Sequence, residues 1–564
     1  MNNETQKDWS KYQSGIDYNQ TLKINGKGYY ETIDANLAFA NGDQWRNSKE
    51  TGIPKFVFNI IKRVKQFKIA SIASSNISVK FEPIEYKEDG SMDDTIIASE
   101  ILSTEVKCVL DEFGIEHKQR DLLADGFDTG DYATHIIFDP RESLYNGQYG
   151  EYKGKIKIEM IDGQNIMFGN PNCSNKEKQP YIIIVGRDLV SNLKEEAKKT
   201  INEDTEYQYM AGDNGKLEIK GDDTGKALYI YLYKKNKKGE VVVSKLTQET
   251  YIYKDVPMGI KKYPIAFGNW ETIKNSYHGR AETSGIIPNQ IALNKIFSMY
   301  AYHTSLNAYP TLIYDKKSVG GQWTSQIGVP VGVSLEQGQR IEDVAKYLQV
   351  ALPANNVSSV IELIKTYTQE MLGVNDSALG NARPENTSAI IAVQKATAVP
   401  LENVRASFYT FLKEMTDVIA EMIINNYGIR PIVVEQNGER SIVEYDFNTL
   451  KTTYMNSKLD IGPSGYYSDI ATNNTLDNLL SSQMITFLQY LDRVDDSLIP
   501  DKQKLISEIK GQMQGQSNEK YEQMMAFFQT LDPQTQAQLK QLPDDQFEAA
   551  VMELMGQGQQ TMPQ

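Results

Sequence analysis

Between His278 and Ser298 the chain reads HGRAETSGIIPNQIALNKIFS, which places His278, Arg280, Glu282 and Ser284 within seven positions. A histidine, an acid and a serine are the parts of a nucleophilic triad, in which the imidazole takes the hydroxyl proton and the carboxylate fixes the imidazole's tautomer. Those parts act through geometry, and adjacency along a chain does not supply it. The four residues are therefore read as structural. Other chemistry is looked for and not found. The histidines, His117, His135, His278 and His303, form no H-E-x-x-H helix, and there is no G-x-S-x-G elbow. GDDTGKA, from Gly221, has one residue too few between its glycines for a phosphate loop. It also carries Ala227 where a magnesium-binding hydroxyl would stand, so it reads as a turn. KKNKKG at 234–239 reads as an exposed hairpin turn, and Asp93-Asp94 and Asp544-Asp545 as solvated loop carboxylates. Two cysteines, Cys108 and Cys173, provide neither a disulfide framework nor a thiolate zinc site. The expectation is a protein with no catalytic residue, metal or cofactor.

With 564 residues the chain is longer than one hydrophobic core usually supports, so two to four regions are expected. Hydrophobic residues at 40% and charged residues at 24% fit a folded protein. A net charge of −15 disfavours gripping nucleic acid over the whole surface, because like charge repels the phosphate backbone. The 33 tyrosines suit half-wet surfaces, where a ring is buried and its hydroxyl keeps a partner. The polar start MNNETQKDWSKYQ has no signal-peptide core and no segment is long enough to span a bilayer. Synthesis in the cytoplasm without a membrane partner is expected.

Periodicity then places the elements. Residues 27–45 read as a helix closed at Asn41-Gly42, and 58–75 as a second helix with Phe58, Ile61, Val64 and Ile72 at helical spacing. ISVKFEPI reads as a strand, and 95–128 as two helices broken at Gly114. From Asp131 to about 275 the period switches to two, in the runs GKIKIEMI, YIIIVG, ALYIYLY and EVVVSKL. A helix is expected from Pro288 to Asn307, then a β-rich insertion, then a helix over about 355–373 with Val357, Val360, Ile361, Ile364 and Met371 on one face. A helix of about 40 residues, kinked at Pro400, follows, then strands at RPIVVEQ, RSIVEYDF and KLDIGP, and helices from 474 into a Gln/Met-rich end. The fold class is α+β, with no internal repeat.

The helix after Pro288 carries two sorts of face. At 100° per residue Gln290, Asn294, Ser298, Ala301, Ser305 and Ala308 share a sector of about 80°, beside an apolar sector of Leu293, Ile296, Phe297 and Tyr300. Small and polar side chains admit a close neighbour. The first sector is therefore a candidate inter-subunit face, with an ordinary amphipathic helix in one core as the alternative.

Five stretches in this order resemble the portal proteins of tailed bacteriophages: NGDQW (41–45), FNIIKRVKQFKIASI (58–72), DGFDTGDYATHIIFDP (125–140), DGQNIMFGNPN (162–172) and YHGRAETSGIIPNQIALNKIFSM (277–299). The resemblance implies a portal-type fold. Residues 1–275 and 387–465 would form a mixed α/β wing that includes the long kinked helix, and 276–308 and 355–374 a two-helix stem. A small β-rich clip would span 309–354, a tunnel loop 375–386, and a helical crown and tail 466–564. It implies a ring, commonly of twelve subunits, at one capsid vertex of the virion. Double-stranded DNA would enter through it during packaging and leave during ejection, and terminase and then tail connectors would dock on it. Implied partners are further copies of the chain, the terminase large subunit, the major capsid protein, scaffolding protein and a head-tail adaptor.

Carried over residue by residue, the tunnel loop would present Asn375, Asp376, Ser377, Asn381, Arg383, Glu385 and Asn386, and the clip Lys316, Lys317 and Trp323. Gln290, Asn294, Ser298, Ala301 and Ser305 would line the stem contact between subunits. Arg383, Lys316 and Lys317 are the candidate phosphate contacts in an otherwise acidic channel. The competing readings are a ring-forming phage adaptor without DNA passage and a terminase or nuclease. The last would need a nucleotide loop or carboxylate cluster that the sequence does not display.

Overall fold

Local signals place most element ends. A computed structural model of the chain describes residues 3–83, 92–143, 153–198, 225–308, 312–318, 333–347, 357–371, 399–461 and 475–494, apart from 25, 47, 50, 74–76, 316, 437–438, 453–454 and 483, with isolated positions as far as 509. Helix α1 (Asn3–Thr21) leads through β1 (Lys23–Ile24) and β2 (Lys27–Gly28) into α2 (Tyr29–Ala40). As expected, α2 stops at Asn41-Gly42, where Gly42 takes φ +92°, a conformation that a Cβ would oppose. Asn59 caps α3 (Ile60–Ile72) by accepting the Lys62 amide. That cap corrects the helical spacing: Phe58 lies ahead of the helix. β3 (Ile77–Pro83) precedes α4 (Met92–Phe113) and α5 (Ile115–Thr129), which part at Gly114 as the sequence predicts.

The period-two region forms antiparallel sheets. β4 (Asp131–Ser143) and β5 (Lys153–Ile161) make a hairpin. β6 (Ile166–Phe168), β7 (Tyr181–Leu189), β8 (Lys226–Lys235), β9 (Val241–Leu246) and β10 (Tyr251–Pro257) then run as a five-stranded meander, with α6 (Val190–Ala197) after β7. KKNKKG is the turn between β8 and β9, closed by the Asn236 amide on the Glu240 carbonyl, and its leading lysines pair with Asp8 and Glu177. Positions 221–224 of GDDTGKA lie outside the described residues. β11 (Ile265–Asn269) returns to the free edge of β4.

β12 (Glu271–Thr272) pairs with β13 (Gly279–Arg280), which feeds α7 (Glu282–Ala308). The start of α7 corrects the sequence reading, since it begins six residues before Pro288. Its first turn is anchored to α3 and α5, as shown below, and a proline this near a helix start forfeits one backbone bond without ending the helix. β14 (Leu312–Tyr314), α8 (Ile341–Val344) and β15 (Ala345–Tyr347) follow, the two strands pairing antiparallel, and α9 (Val357–Met371) packs back on α7.

Pro400 sits in the 3-10 turn Val399–Leu401, directly ahead of α10 (Glu402–Asn426). The stretch 387–398, expected to begin this helix, lies outside the described residues. Phe408, Phe411, Leu412, Met415, Val418, Ile419, Met422 and Ile423 of α10 are all buried. Their i, i+3, i+4 recurrence presses one face of the helix against β4, β11 and α4, and each side chain contributes about 1.5–3 kcal/mol by leaving water. β16 (Ile429–Gln436), β17 (Glu439–Asp446) and β18 (Met455–Ile461) complete the region. β18 pairs with β3 from Met455↔Pro83 to Ile461↔Ile77, so chain ends far apart in sequence share one sheet.

The chain divides into two compact units, 1–434 with 442–464, and 435–441 with 465–564. In the second, Thr486 and Gln489 form a capping box on α11 (Phe487–Arg493). The Gln/Met-rich end past 509 lies outside the described residues.

One carboxyl in α5 gives a pH-dependent prediction. Burial, with the Asp162, Asp128 and Asp121 charges adding to it and Lys65 opposing, pushes Asp125 up to about 7. A carboxyl whose folded value is raised stabilises the fold below its ordinary range, and that stability is lost as pH rises through about 7. Asp125→Asn is therefore expected to raise stability by about 1–3 kcal/mol at pH 8 and to converge on the parent as pH falls towards 4, read from urea midpoints at both pH values.

Candidate functional site

The residues that looked catalytic part company in the structure. His278 is fully buried, with Nδ1 2.6 Å from Asp131 Oδ2 and Nε2 3.0 Å from Asn19 Oδ1. The Tyr29 hydroxyl donates to Asp131 Oδ2 at 3.1 Å, and burial, reinforced by the Asp131 charge, holds that phenol well above its ordinary range, so it remains a donor. The Gly279 amide and Asn269 Nδ2 both donate to Asp131 Oδ1 at 2.7 Å. Asp131 is thus a fully buried carboxylate whose partners, Tyr29, Asn269 and the adjacent His278 and Gly279, come from three separate segments. Without solvent access it cannot serve a substrate. It fastens α1, α2, the start of β4 and the approach to α7 to one point.

The glycines beside it allow that convergence. A Cβ on Gly279 would stand 2.5 Å from the Gly130 carbonyl oxygen, and Gly130 itself takes φ +96°. Only bare backbone fits there.

The rest of the segment is tied elsewhere. Glu282 pairs with Lys68 at 2.6 Å and accepts the Trp270 indole N–H at 2.8 Å. Thr283 donates to Asp128 at 2.8 Å, and Asp128 also receives Lys65. Ser284 and Asn36 bond to each other. Arg280 stays exposed near Glu271. The first turn of α7 is therefore bolted to α2, α3 and α5, and its acid sits at the helix end that favours negative charge. Ser284 thus bonds Asn36 and not the His278 ring, whose partners are Asp131, Asn19 and Tyr29.

Further along α7 a polar ladder appears. Gln290 Oε1 accepts the Ile60 amide at 2.9 Å while its Nε2 donates to the Phe58 carbonyl. Asn294 Oδ1 accepts the Phe58 amide at 3.1 Å, and Ser298 Oγ accepts the Phe56 amide at 3.3 Å. The spacing explains the fit: four helical residues rise about 6 Å, close to the advance of two residues of extended chain. Asn294 Nδ2 also donates to Gln44, and Trp45 donates to the Phe56 carbonyl at 2.8 Å. Three of the short motifs, NGDQW, the start of FNIIKRVKQF and Gln290-x-x-x-Asn294, thus meet in one place.

This corrects the expected inter-subunit face. Gln290, Asn294 and Ser298 are buried against their own chain, because their hydrogen-bonding groups are consumed by the backbone of 56–60. Ala301 is half-buried and Ser305 exposed. Lys317 is exposed, its amide donating to Asp315. Lys316, Trp323 and all seven tunnel-loop positions, Asn375, Asp376, Ser377, Asn381, Arg383, Glu385 and Asn386, lie outside the described residues.

α7 and α9 pack together, joined near their 282–290 and 366–371 ends by Asn289 Nδ2 donating to Thr368 Oγ1 at 3.1 Å. Among the described residues, no cluster of three or more His, Cys, Asp or Glu side chains is arranged to hold a metal, and no helix is long and apolar enough to cross a membrane. His135 is a core residue: burial holds its ring down to about 3, and it bonds the Tyr233 hydroxyl at 2.6 Å.

The residues that sequence reasoning missed are Asp131, Asn19 and Tyr29, which lie at least 147 positions from His278. Only their polarity within otherwise apolar surroundings could have signalled them. No curated protein matches the chain. The family model described as "Phage P22-like portal protein" matches residues 192–564, well over half of it and inclusive of α7, α9 and α10. The chain therefore belongs to the phage P22-like portal protein family, which supports a structural, capsid-associated portal role in a bacteriophage.

Proposed function

We propose that copies of this chain form a ring at one capsid vertex, commonly of twelve, through which double-stranded DNA enters during packaging and leaves during ejection. The family match carries this reading. The α7–α9 pair supports it: in this reading the two helices are the stem, and the β14–β15 sheet between them in sequence belongs to the clip that meets the terminase large subunit and then the head-tail adaptor. Residues 375–386 act as the tunnel loop, with Arg383 touching phosphate, and Lys316, Lys317 and Trp323 serve the clip. The net charge of −15 per subunit suits a conduit, since a predominantly acidic lumen repels phosphate weakly along its length and lets DNA slide.

Electron micrographs of the purified chain are expected to show annular particles with a central hole, and a monomeric mass at all concentrations would overturn the ring. Deleting 377–385 is expected to leave the annulus intact and abolish packaging or retention of DNA in assembled heads. Normal packaging by that variant would remove the channel role and favour a ring adaptor without DNA passage.

A further inference from the structure

α7 has no single apolar side. Adjoining its inward residues, Pro288, Ile291, Lys295, Met299 and Tyr302 fall within about 80° and are all exposed, with one charge among them. A contiguous exposed apolar stripe is ordinarily an interaction face. α9 turns Ile361, Ile364 and Thr368 inward and leaves a second stripe, Val360, Leu363 and Tyr367, within about 60° and exposed.

The two stripes stand at the same level. Asn289 meets Thr368, and β14, which follows α7, pairs antiparallel with β15, which precedes α9, so each step up α7 is a step back along α9. Ile291 is then level with Tyr367, and Met299 with Val360. Beside Ile291 lies a cavity of about 420 Å³ lined by Ala35, Ala38, Phe39 and Ile287 together with charged side chains that include Asp34 and Lys295. That volume admits a tyrosine ring, and Tyr367 is 56% exposed.

We infer that the α9 stripe of one subunit packs on the α7 stripe of the next, with Tyr367 entering the cavity beside Ile291. This rests on the ring reading above. A rotation about an axis parallel to the helix pair preserves level, so it brings the two unlike stripes together, and unlike patches on one chain give a head-to-tail contact that closes a ring. A buried tyrosine in a fitted pocket is also the type of residue that anchors interfaces.

The test uses full-length chain with Cys108→Ser and Cys173→Ser, to which Met299→Cys and Val360→Cys are added singly and together. A short bismaleimide should convert the double variant into a covalent ladder reaching the ring size, and a co-assembled mixture of the two single variants into dimers. Each single variant alone should stay monomeric on denaturing gels. Rings visible by microscopy without a ladder would overturn the contact while leaving the ring intact, meaning that another partner covers these stripes. Dimers from one single variant alone would indicate a two-fold contact and also overturn it. Folded chains that form no ring would sink both readings. As a second measurement, Tyr367→Ala should raise the concentration at which rings assemble by at least tenfold, and an unchanged threshold would exclude the tyrosine anchor.

Discussion

Asp131→Ala is expected to cost about 3–5 kcal/mol of subunit stability, the scale measured when one partner is stripped from a buried charged cluster. The fully buried carboxylate accepts from the Gly279 amide, Asn269 and Tyr29, and lies against His278. Removing it strands these groups together. A fall in urea midpoint of that size, or failure to accumulate folded chain, would confirm the load. The charge-neutral Asp131→Asn should lose less, because its side-chain oxygen still accepts. An Asp131→Ala chain within about 1 kcal/mol of the parent would show that the cluster carries little, since surface substitutions fall in that range.

The second large effect is expected from Gln290→Leu combined with Asn294→Leu. These side chains bond the Ile60 amide and both polar groups of Phe58; leucine replaces none of those bonds, which leaves the Phe58 amide unpaired and the Ile60 amide with the Phe58 carbonyl alone. At about 1–3 kcal/mol for the stranded Phe58 amide and about 0.5–1.5 kcal/mol for each further bond lost, relieved in part as 56–60 lifts into water, the pair should lose about 2–4 kcal/mol. Hydrogen exchange reads the event directly: protection of the Phe58 and Ile60 amides should fall, while that of the β7–β8 ladder should not change. Phe56 and Phe58 pack edge-on against Phe297 at 5.3 and 4.4 Å, so those contacts should loosen with the ladder. Equal protection in parent and variant would show that aromatic packing alone holds the segment.

These experiments separate two levels of information. Helix ends at Gly42 and Gly114, the strands at YIIIVG, ALYIYLY and EVVVSKL, and the turn at KKNKKG were legible because capping, alternation and turn chemistry are local. The α7 start was not, because Pro288 is a local stop signal overruled by distant partners, Lys68, Asp128 and Asn36. The polar sector was legible as a sector, but three of its members, Gln290, Asn294 and Ser298, meet their own chain. Periodicity states which side chains share a face, whereas the hydrogen bonds to Phe56, Phe58 and Ile60 state what the face meets.

From residues alone came the absence of a recognisable catalytic motif, the α+β class, the acidic charge and the family, since all four rest on residue type, spacing and order. Only the tertiary structure decided that His278 is a strut against Asp131, that Gln290, Asn294 and Ser298 hold their own chain, and that the stripes of α7 and α9 are left bare. Burial depends on which segments meet across hundreds of residues, and the same polar side chain is a ligand, a strut or a solvated surface according to that meeting.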